Sequence, residues 1–399
     1  MDLHPIHVSR FPQELYDNVL DHLWDDHRTL VVCGLACRAW LPTVRLHRFH
    51  KITLTARNFH QFNKLLDEAP AISEFVWEVA FFMGDRSQKS IRSSMICILA
   101  RLDNVGHLTL HHWTALDDSD IDDIAALFQN IRTLSLHDTE ATANNILRLI
   151  CACRNLTALH LYYVELWDTQ MPPFTATSQV QIEKLVCDYL PAALMEYLLR
   201  GSVKMCLRSV NLSWRPDDDD CMGYQENGTA WICNMLKEAG PSLRELTLCP
   251  IGDYEDEPIN LDVSSNVCLV SLRLDILCHS PGGQLAWPSN ILSTMRSHCL
   301  GRVEVGLCTY PQIPFPFDSL NWDSMDRSLA RLAHENKMPE VVFLVLYWRE
   351  DMASIIHALV PHLRAEKCQL GVVYDPQYVR FMTGSSFTKR KEERWVSLP

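Results

Sequence analysis

Residues 105–110 read VGHLTL, residues 131–136 read IRTLSL and residues 156–161 read LTALHL. Each hexamer places an apolar residue at its first, fourth and sixth positions. Further copies stand at Ile182/Leu185/Cys187, Leu207/Val210/Leu212, Leu243/Leu246/Leu248, Leu269/Leu272/Leu274, Leu300/Val303/Val305 and Val341/Leu344/Leu346, with an earlier candidate at Ile72/Phe75/Trp77. In a chain that is 47% hydrophobic, one such triplet arises by chance in roughly one window in ten. The spacing carries the signal. First positions 105, 131, 156, 182 and 207 lie 26, 25, 26 and 25 residues apart, and the later gaps are 36, 26, 31 and 41. A fixed period of this length is the mark of a solenoid, in which each unit buries its apolar face only against its neighbours.

Helical patterns fill the intervals. Ile121, Ile124 and Phe128 follow the acidic run at 117–120, and Ile146, Leu149, Ile150 and Cys153 recur at helical spacing. Leu194, Tyr197 and Leu198 precede Gly201; Trp231, Ile232, Met235 and Leu236 precede Gly240-Pro241; Ile355, Ile356, Leu359 and Leu363 form the last stripe. Strand followed by helix at about 25 residues resembles the longer, helix-containing leucine-rich repeat. One feature departs from that family. Beyond the third apolar position, where Asn or Cys is usual, stand Trp113, Thr139, Val164, Leu190, Arg215, Ile251, Leu277, Cys308 and Arg349. Only Cys308 fits, so the side-chain ladder of such solenoids is mostly missing. The longer gaps imply insertions, among them the acidic loops at 216–220 and 253–258. The first lacks the alternating ligands and terminal Glu of an EF-hand and reads as solvated.

In a leucine-rich solenoid the residues between the consensus positions line the open face of the strands. Here these are His107, Thr109 and His111; Thr133, Ser135 and His137; Ala158, His160 and Tyr162; then Lys184 and Asp188, Ser209, Asn211 and Ser213, Glu245 and Thr247, and Ser271, Arg273 and Asp275. A mixture of His, Tyr and hydroxyls suits protein contact. His107, His111, His137, His160 and Tyr162 are therefore the candidate substrate-binding residues, with capture expected to vary between pH 6 and 8 through histidine.

Upstream, residues 11–54 read FPQELYDNVLDHLWDDHRTLVVCGLACRAWLPTVRLHRFHKITL. Pro12 suits a first helical turn, and Leu15, Val19, Leu20 and Leu23 form a stripe. Asp25 or Asp26 caps a second helix carrying Cys33, Ala36, Cys37 and Trp40, and Pro42 ends it or opens a third through Val44, Leu46 and Phe49. The segment resembles the F-box. Phe11-Pro12-Gln13-Glu14-Leu15 is similar to that family's Leu-Pro-x-Glu-Leu opening, and the run Cys33 to Trp40 to its small-apolar helix ending in Cys-x-x-Trp. Phe11 replaces the usual Leu. The Asp25–Leu30 connection and Leu41-Pro42 look most like fungal members. The resemblance implies binding to the Skp-type adaptor of a cullin–RING ubiquitin ligase through Phe11, Pro12, Leu15, Cys33, Ala36, Cys37 and Trp40, with Trp40 as the anchor.

Composition narrows the remaining classes. With 36 Lys+Arg against 49 Asp+Glu the net charge is −13, which argues against a general nucleic-acid surface. No run approaches the roughly 18–20 apolar residues that span a bilayer, and no secretory signal is visible at residues 1–5. The 15 cysteines are scattered and read as reduced thiols, without zinc-site spacing. No hydrolase, P-loop, zincin or dinucleotide motif occurs; His107, His111 and His112 with Asp117 form the best catalytic candidate but lack a nucleophile motif.

The sequence therefore predicts an α/β protein: an F-box-like three-helix module over 8–54, an irregular leucine-rich-repeat-like solenoid over 55–375 and a flexible tail over 376–399. The expected function is substrate recognition for an SCF-type ubiquitin ligase in the cytoplasm or nucleus. The expected partners are the adaptor, the cullin complex and a substrate protein; no catalytic residue, metal, cofactor, nucleic acid or membrane is expected. The alternative is a repeat scaffold acting outside a ligase.

Overall fold

The computed structural model describes residues 12–82, 88–113, 127–167, 180–188, 194–195, 198–199, 203–214, 229–250, 259–278, 285–309, 317–337, 340–345, 352–366, 368–374 and 394–397. The chain divides into two compact units, residues 1–141 with 148–156, and residues 142–147 with 157–399. The expected module boundary at residue 54 is not a division between compact units.

The first unit opens with α1 (Gln13–Asp21), α2 (His27–Ala36) and α3 (Leu41–Phe49). Four strands follow: β1 (Lys51–Thr55), β2 (Glu78–Phe82), β3 (His107–His111) and β4 (Thr133–Ala141). Helices α4 (Phe59–Glu68) and α5 (Gln88–Leu99) lie between them in sequence. The strands pair in parallel and in chain order. The division between units falls within α6 (Ala143–Ala152), whose Ile146, Leu149 and Ile150 are buried as the stripe predicts.

The second unit contains β5 (Ala158–Leu166), β6 (Gln181–Asp188), β7 (Lys204–Trp214), α7 (Ala230–Ala239), β8 (Glu245–Pro250) and β9 (Ser271–Cys278). It continues through α8 (Trp287–Thr294), β10 (Arg302–Thr309), α9 (Trp322–Asn336) and β11 (Glu340–Val345). It closes with α10 (Met352–Leu359), α11 (Pro361–Ala365), β12 (Gln369–Tyr374) and β13 (Arg394–Ser397). Strands β5 to β12 are parallel, each beside the one before it, while β13 adds antiparallel to β12. The result is an α/β fold of solenoid-like character whose sheet does not close. Residues 394–397, expected in a flexible tail, are strand.

The register explains the period. Leu108 pairs with Leu134 and Leu110 with Leu136; Leu159 pairs with Leu185 and Leu161 with Cys187; Val210 pairs with Leu246 and Leu212 with Leu248. All are buried, so within each unit every triplet supplies one layer of the apolar core. Two triplets are corrected. Val303 pairs with Val341 and Val305 with Phe343, so Val341 and Phe343 occupy the inward positions and Leu344 does not; Leu346 lies outside the described residues. Likewise Val79 and Phe81 pair with Leu108 and Leu110, and the buried trio is Val76/Val79/Phe81, whereas Trp77 is exposed. In these apolar stretches several phases satisfy the pattern, and packing selects one.

The missing ladder has a substitute. Asn104, Asn130 and Asn155 each immediately precede a triplet and donate to a carbonyl of the preceding repeat, at Glu74, Asp103 and Gln129 respectively, over 3.0, 3.2 and 2.8 Å. At the strand entries one carbonyl accepts two amides of the next repeat: His50 O from Trp77 and Glu78, Trp77 O from Gly106 and His107, Gly106 O from Arg132 and Thr133. The repeats thus begin at His50, directly after α3. His112, directly after β3, and Asp138 and Tyr163, within β4 and β5, are left-handed, with φ of 54°, 49° and 52°. The next residues, Trp113, Thr139 and Val164, are buried at the position where Asn or Cys is usual. The predicted helix containing Ile121 and Ile124, most of the one around Leu194–Leu198, and the acidic loops at 216–220 and 253–258 lie outside the described residues. No described helix is long and apolar enough to cross a membrane.

Candidate functional sites on the helical segment and the strand face

Helices α1 and α3 are joined by polar side chains. Gln13 Nε2 donates to the Ala39 carbonyl at 3.1 Å, Thr43 Oγ1 to Asp17 Oδ1 at 2.5 Å, and His47 Nε2 meets Asp21 Oδ1 at 2.8 Å. Residues 13, 17 and 21 occupy one face of α1, which runs alongside Ala39, Thr43 and His47 while Gln13 and Asp21 stay exposed. Leu20 joins Leu30 and Val44 in a small core, against which Leu23, Cys33 and Trp40 pack. Gly34 permits close approach, since a Cβ there would lie 3.2 Å from Val44 Cγ1. Asp26 caps α2, accepting from the Thr29 amide at 3.0 Å and the Thr29 hydroxyl at 2.6 Å. The hydroxyl hydrogen bond is the main reason its carboxyl is held below the usual range.

This arrangement leaves apolar side chains in solvent. Leu15 is 49% exposed and Val19 61%, four residues apart on α1. On α2, Val32 is 64% and Leu35 85% exposed, and Ala36 is exposed beside them, whereas Leu30 and Cys33 turn to the core. Helix α2 is therefore apolar on two faces, of which the segment covers one. Of the ten exposed large hydrophobic residues among those described, seven fall between Leu15 and Leu46.

The expected adaptor-binding set is thereby divided. Pro12, Leu15 and Ala36 are exposed, Cys33 and Cys37 are half-buried, and Phe11 lies outside the described residues. Trp40 is half-buried, packs on the Leu20–Leu30–Val44 core and sits 5.5 Å from the Tyr16 ring. Helix α2 ends at Ala36 and Cys37 is extended, so Cys37 and Trp40 do not continue the helical stripe. The split of the α1 stripe into outward Leu15/Val19 and inward Leu20, with Leu23 packed on the core, was not readable from spacing. Gln13, Asp17 and Asp21, the polar face, carried the missing signal.

On the strand face of the first unit three rings stack across neighbouring strands: Phe82 on His111 with centroids 3.9 Å apart, and His111 on His137 at 4.4 Å. Burial, and secondarily the neighbouring His137 and His112, pushes His111 down to about 4. It therefore stays neutral between pH 6 and 8, which removes it as a source of the expected pH variation. His107 is exposed at the opposite end of β3, 3.9 Å from Glu78 Oε1. His112 leaves the strand row in its left-handed conformation, and Asp117 lies outside the described residues. Among the described residues no group of three His, Cys, Asp or Glu is placed to hold a metal.

In the second unit His160 and Tyr162 meet edge to face at 6.4 Å. Tyr162 pairs in register with Asp188, and Asp188 with Ser213. Burial pushes Tyr162 up to about 12 and Asp188 up to about 7. Further along, Arg273 Nε donates to both Asp275 oxygens at 2.9 and 3.0 Å. Arg302 bridges Glu304 at 2.7 Å and Glu340 at 3.2 Å. Gly306 makes room for Asp275, whose Oδ1 would lie 2.2 Å from a Cβ there.

The chain matches no family model, and no curated protein is significantly similar to it.

Proposed function

We propose that this protein is a substrate-recognition subunit of an SCF-type cullin–RING ubiquitin ligase. In this reading residues 13–49 are an F-box-like module that docks a Skp-type adaptor, and the leucine-rich-repeat-like strands hold a substrate protein. The observation that supports it most is the outward apolar surface of α1 and α2. A free-standing helical segment of this size would turn Leu15, Val19, Val32 and Leu35 inward; here the inside is already filled, and exposed apolar patches of this kind mark association surfaces. The sequence resemblance names the partner. The chain needs no chemistry of its own: tethering raises the effective concentration of substrate beside subunits that transfer ubiquitin. It would act inside the cell, in the cytoplasm or nucleus.

The test is direct. The full chain and a purified Skp-type adaptor should co-elute on size-exclusion chromatography as a stoichiometric complex. Two separate peaks at micromolar concentration would favour a scaffold acting outside a ligase.

A further inference from the structure

We propose that the polar face of β5–β7 binds a cationic side chain, an arginine or lysine of the captured protein, through Asp188 and Asn211. The inference rests on reading the strand face as the cargo surface, and not on adaptor docking.

Asp188 ends β6 and is 4% exposed. Among the described residues its Oδ1 has no hydrogen-bond partner, and neither does the buried Oδ1 of Asn211 on β7. Asn211 pairs with Val186, and Asp188 with Ser213, so all four lie within two residues of one another on the two strands. With a side-chain period of two they share one face. Native proteins seldom leave buried acceptors unmet, because each forfeits its solvation without return. Two on adjacent strands define a place that lacks a donor.

The same sheet shows what such a place accepts. Asp275 on β9 is equally buried, at 3% exposed, and the Arg273 guanidinium spans both its oxygens. There the chain supplies its own arginine. At Asp188 the strand neighbours are Tyr162 and Ser213, and the cation is left for a partner to bring. A guanidinium or ammonium offers only donors, matching two acceptors; an anion or a carbonyl would add to the mismatch. The net charge of −13 favours encounter with a basic segment.

Among the described residues, the titratable groups near Asp188 are Tyr162 across from it and the neighbouring Cys187; β7 contributes the uncharged Asn211 and Ser213, and Lys184 lies four residues upstream on the same face. Burial pushes both the phenol and the thiol up, so they stay protonated at neutral pH. The Asp188 carboxyl, raised by burial alone, is half ionised near pH 7. A docking cation selects the ionised form and displaces its proton.

The probe is a fluorescein-labelled hexa-arginine peptide, with hexa-citrulline as its uncharged counterpart, titrated against the full chain in physiological salt and read by anisotropy. Asp188→Asn preserves shape and should weaken hexa-arginine binding about tenfold, the size of one charge-assisted hydrogen bond. Asn211→Ser should weaken it several-fold. Glu183→Gln, a half-exposed acid on the same strand that pairs with Arg208, should change it less than about twofold. Hexa-citrulline should not bind. Unchanged affinity in Asp188→Asn, or equal loss in Glu183→Gln, would overturn the proposal. Adaptor co-elution measured on the same samples keeps the two readings distinguishable: arginine-dependent binding without adaptor would fail the ligase reading alone, and the converse would fail this one alone.

Discussion

The helices of residues 13–49 and the strand layers distribute polarity in opposite senses. On β3 the apolar Leu108 and Leu110 go into the core while Thr109 and His111 stay partly exposed. Helix α1 holds Gln13, Asp17 and Asp21 against the α3 side and leaves Leu15 and Val19 outside. The strand layers bury their apolar triplets, whereas the helical segment leaves Leu15, Val19, Val32 and Leu35 exposed. Apolar surface without directional bonds suits a constant partner, whereas half-buried polar groups discriminate among ligands because a mismatched one leaves them unpaired. Under the proposed function, the first surface would serve permanent docking and the second selection.

The comparison breaks first if the strand interior is not a continuous core. Leu134 is fully buried in β4. Leu134→Asp places an unpaired charge among neighbouring triplets and should cost at least about 4 kcal/mol, unfolding the adjoining repeats. Thermal melting by circular dichroism reads it; a wild-type melt would show that the register is wrong.

The polar face is sharpened by pH. Burial raises the Asp188 carboxyl from 3.8 to about 7. The unfolded chain therefore releases this proton near pH 4 and the folded chain near pH 7, so between those values the unfolded state binds fewer protons and stability falls as pH rises. The penalty is absent below about pH 4 and complete above about pH 7. Asp188→Asn removes it and should stabilise the protein at pH 8, on the order of 3 kcal/mol, while leaving it unchanged at pH 4. Urea denaturation at both values checks this; an equal effect at each would place Asp188 in solvent.

The helical segment gives a smaller effect. Trp40 packs against Leu20, Leu30 and Val44 but remains half-exposed. Trp40→Ala should cost about 2 kcal/mol, less than for a fully buried Trp, seen as faster amide exchange across α1 to α3. Unchanged exchange in the variant would return Trp40 to the interface.

Much of the fold was legible because the period reports stacking directly. Leu108 pairs with Leu134 in the first unit, and Leu159 with Leu185 in the second, because each layer must meet the next. What escaped the pattern was set by packing or by single polar contacts. The phase at 341–346 was ambiguous since every residue from Val341 to Leu346 is apolar. The Asn104–Asn130–Asn155 ladder had a readable period of 26 and 25 residues, but its partners are backbone carbonyls, which spacing does not reveal. Helix α9 carries Asp326, fully buried, which accepts from the His362 and Leu363 amides and meets the His362 ring, each at 2.8 Å. Nothing local marks this aspartate as the cap of a helix that begins 35 residues later at Pro361. On the candidate surfaces, residue type was legible at His111 and Tyr162, while their burial, which fixes their protonation, depended on the assembled sheet.

In the proposed function the outward faces of α1 and α2 bind the adaptor. Leu35 is 85% exposed, so Leu35→Asp should leave the melting temperature within experimental error. Calorimetric titration of a purified Skp-type adaptor into the full chain should show binding for the wild type, and a loss of at least about 2 kcal/mol, some thirtyfold in Kd, for Leu35→Asp. Equal affinity for wild type and a folded Leu35→Asp variant would contradict the account.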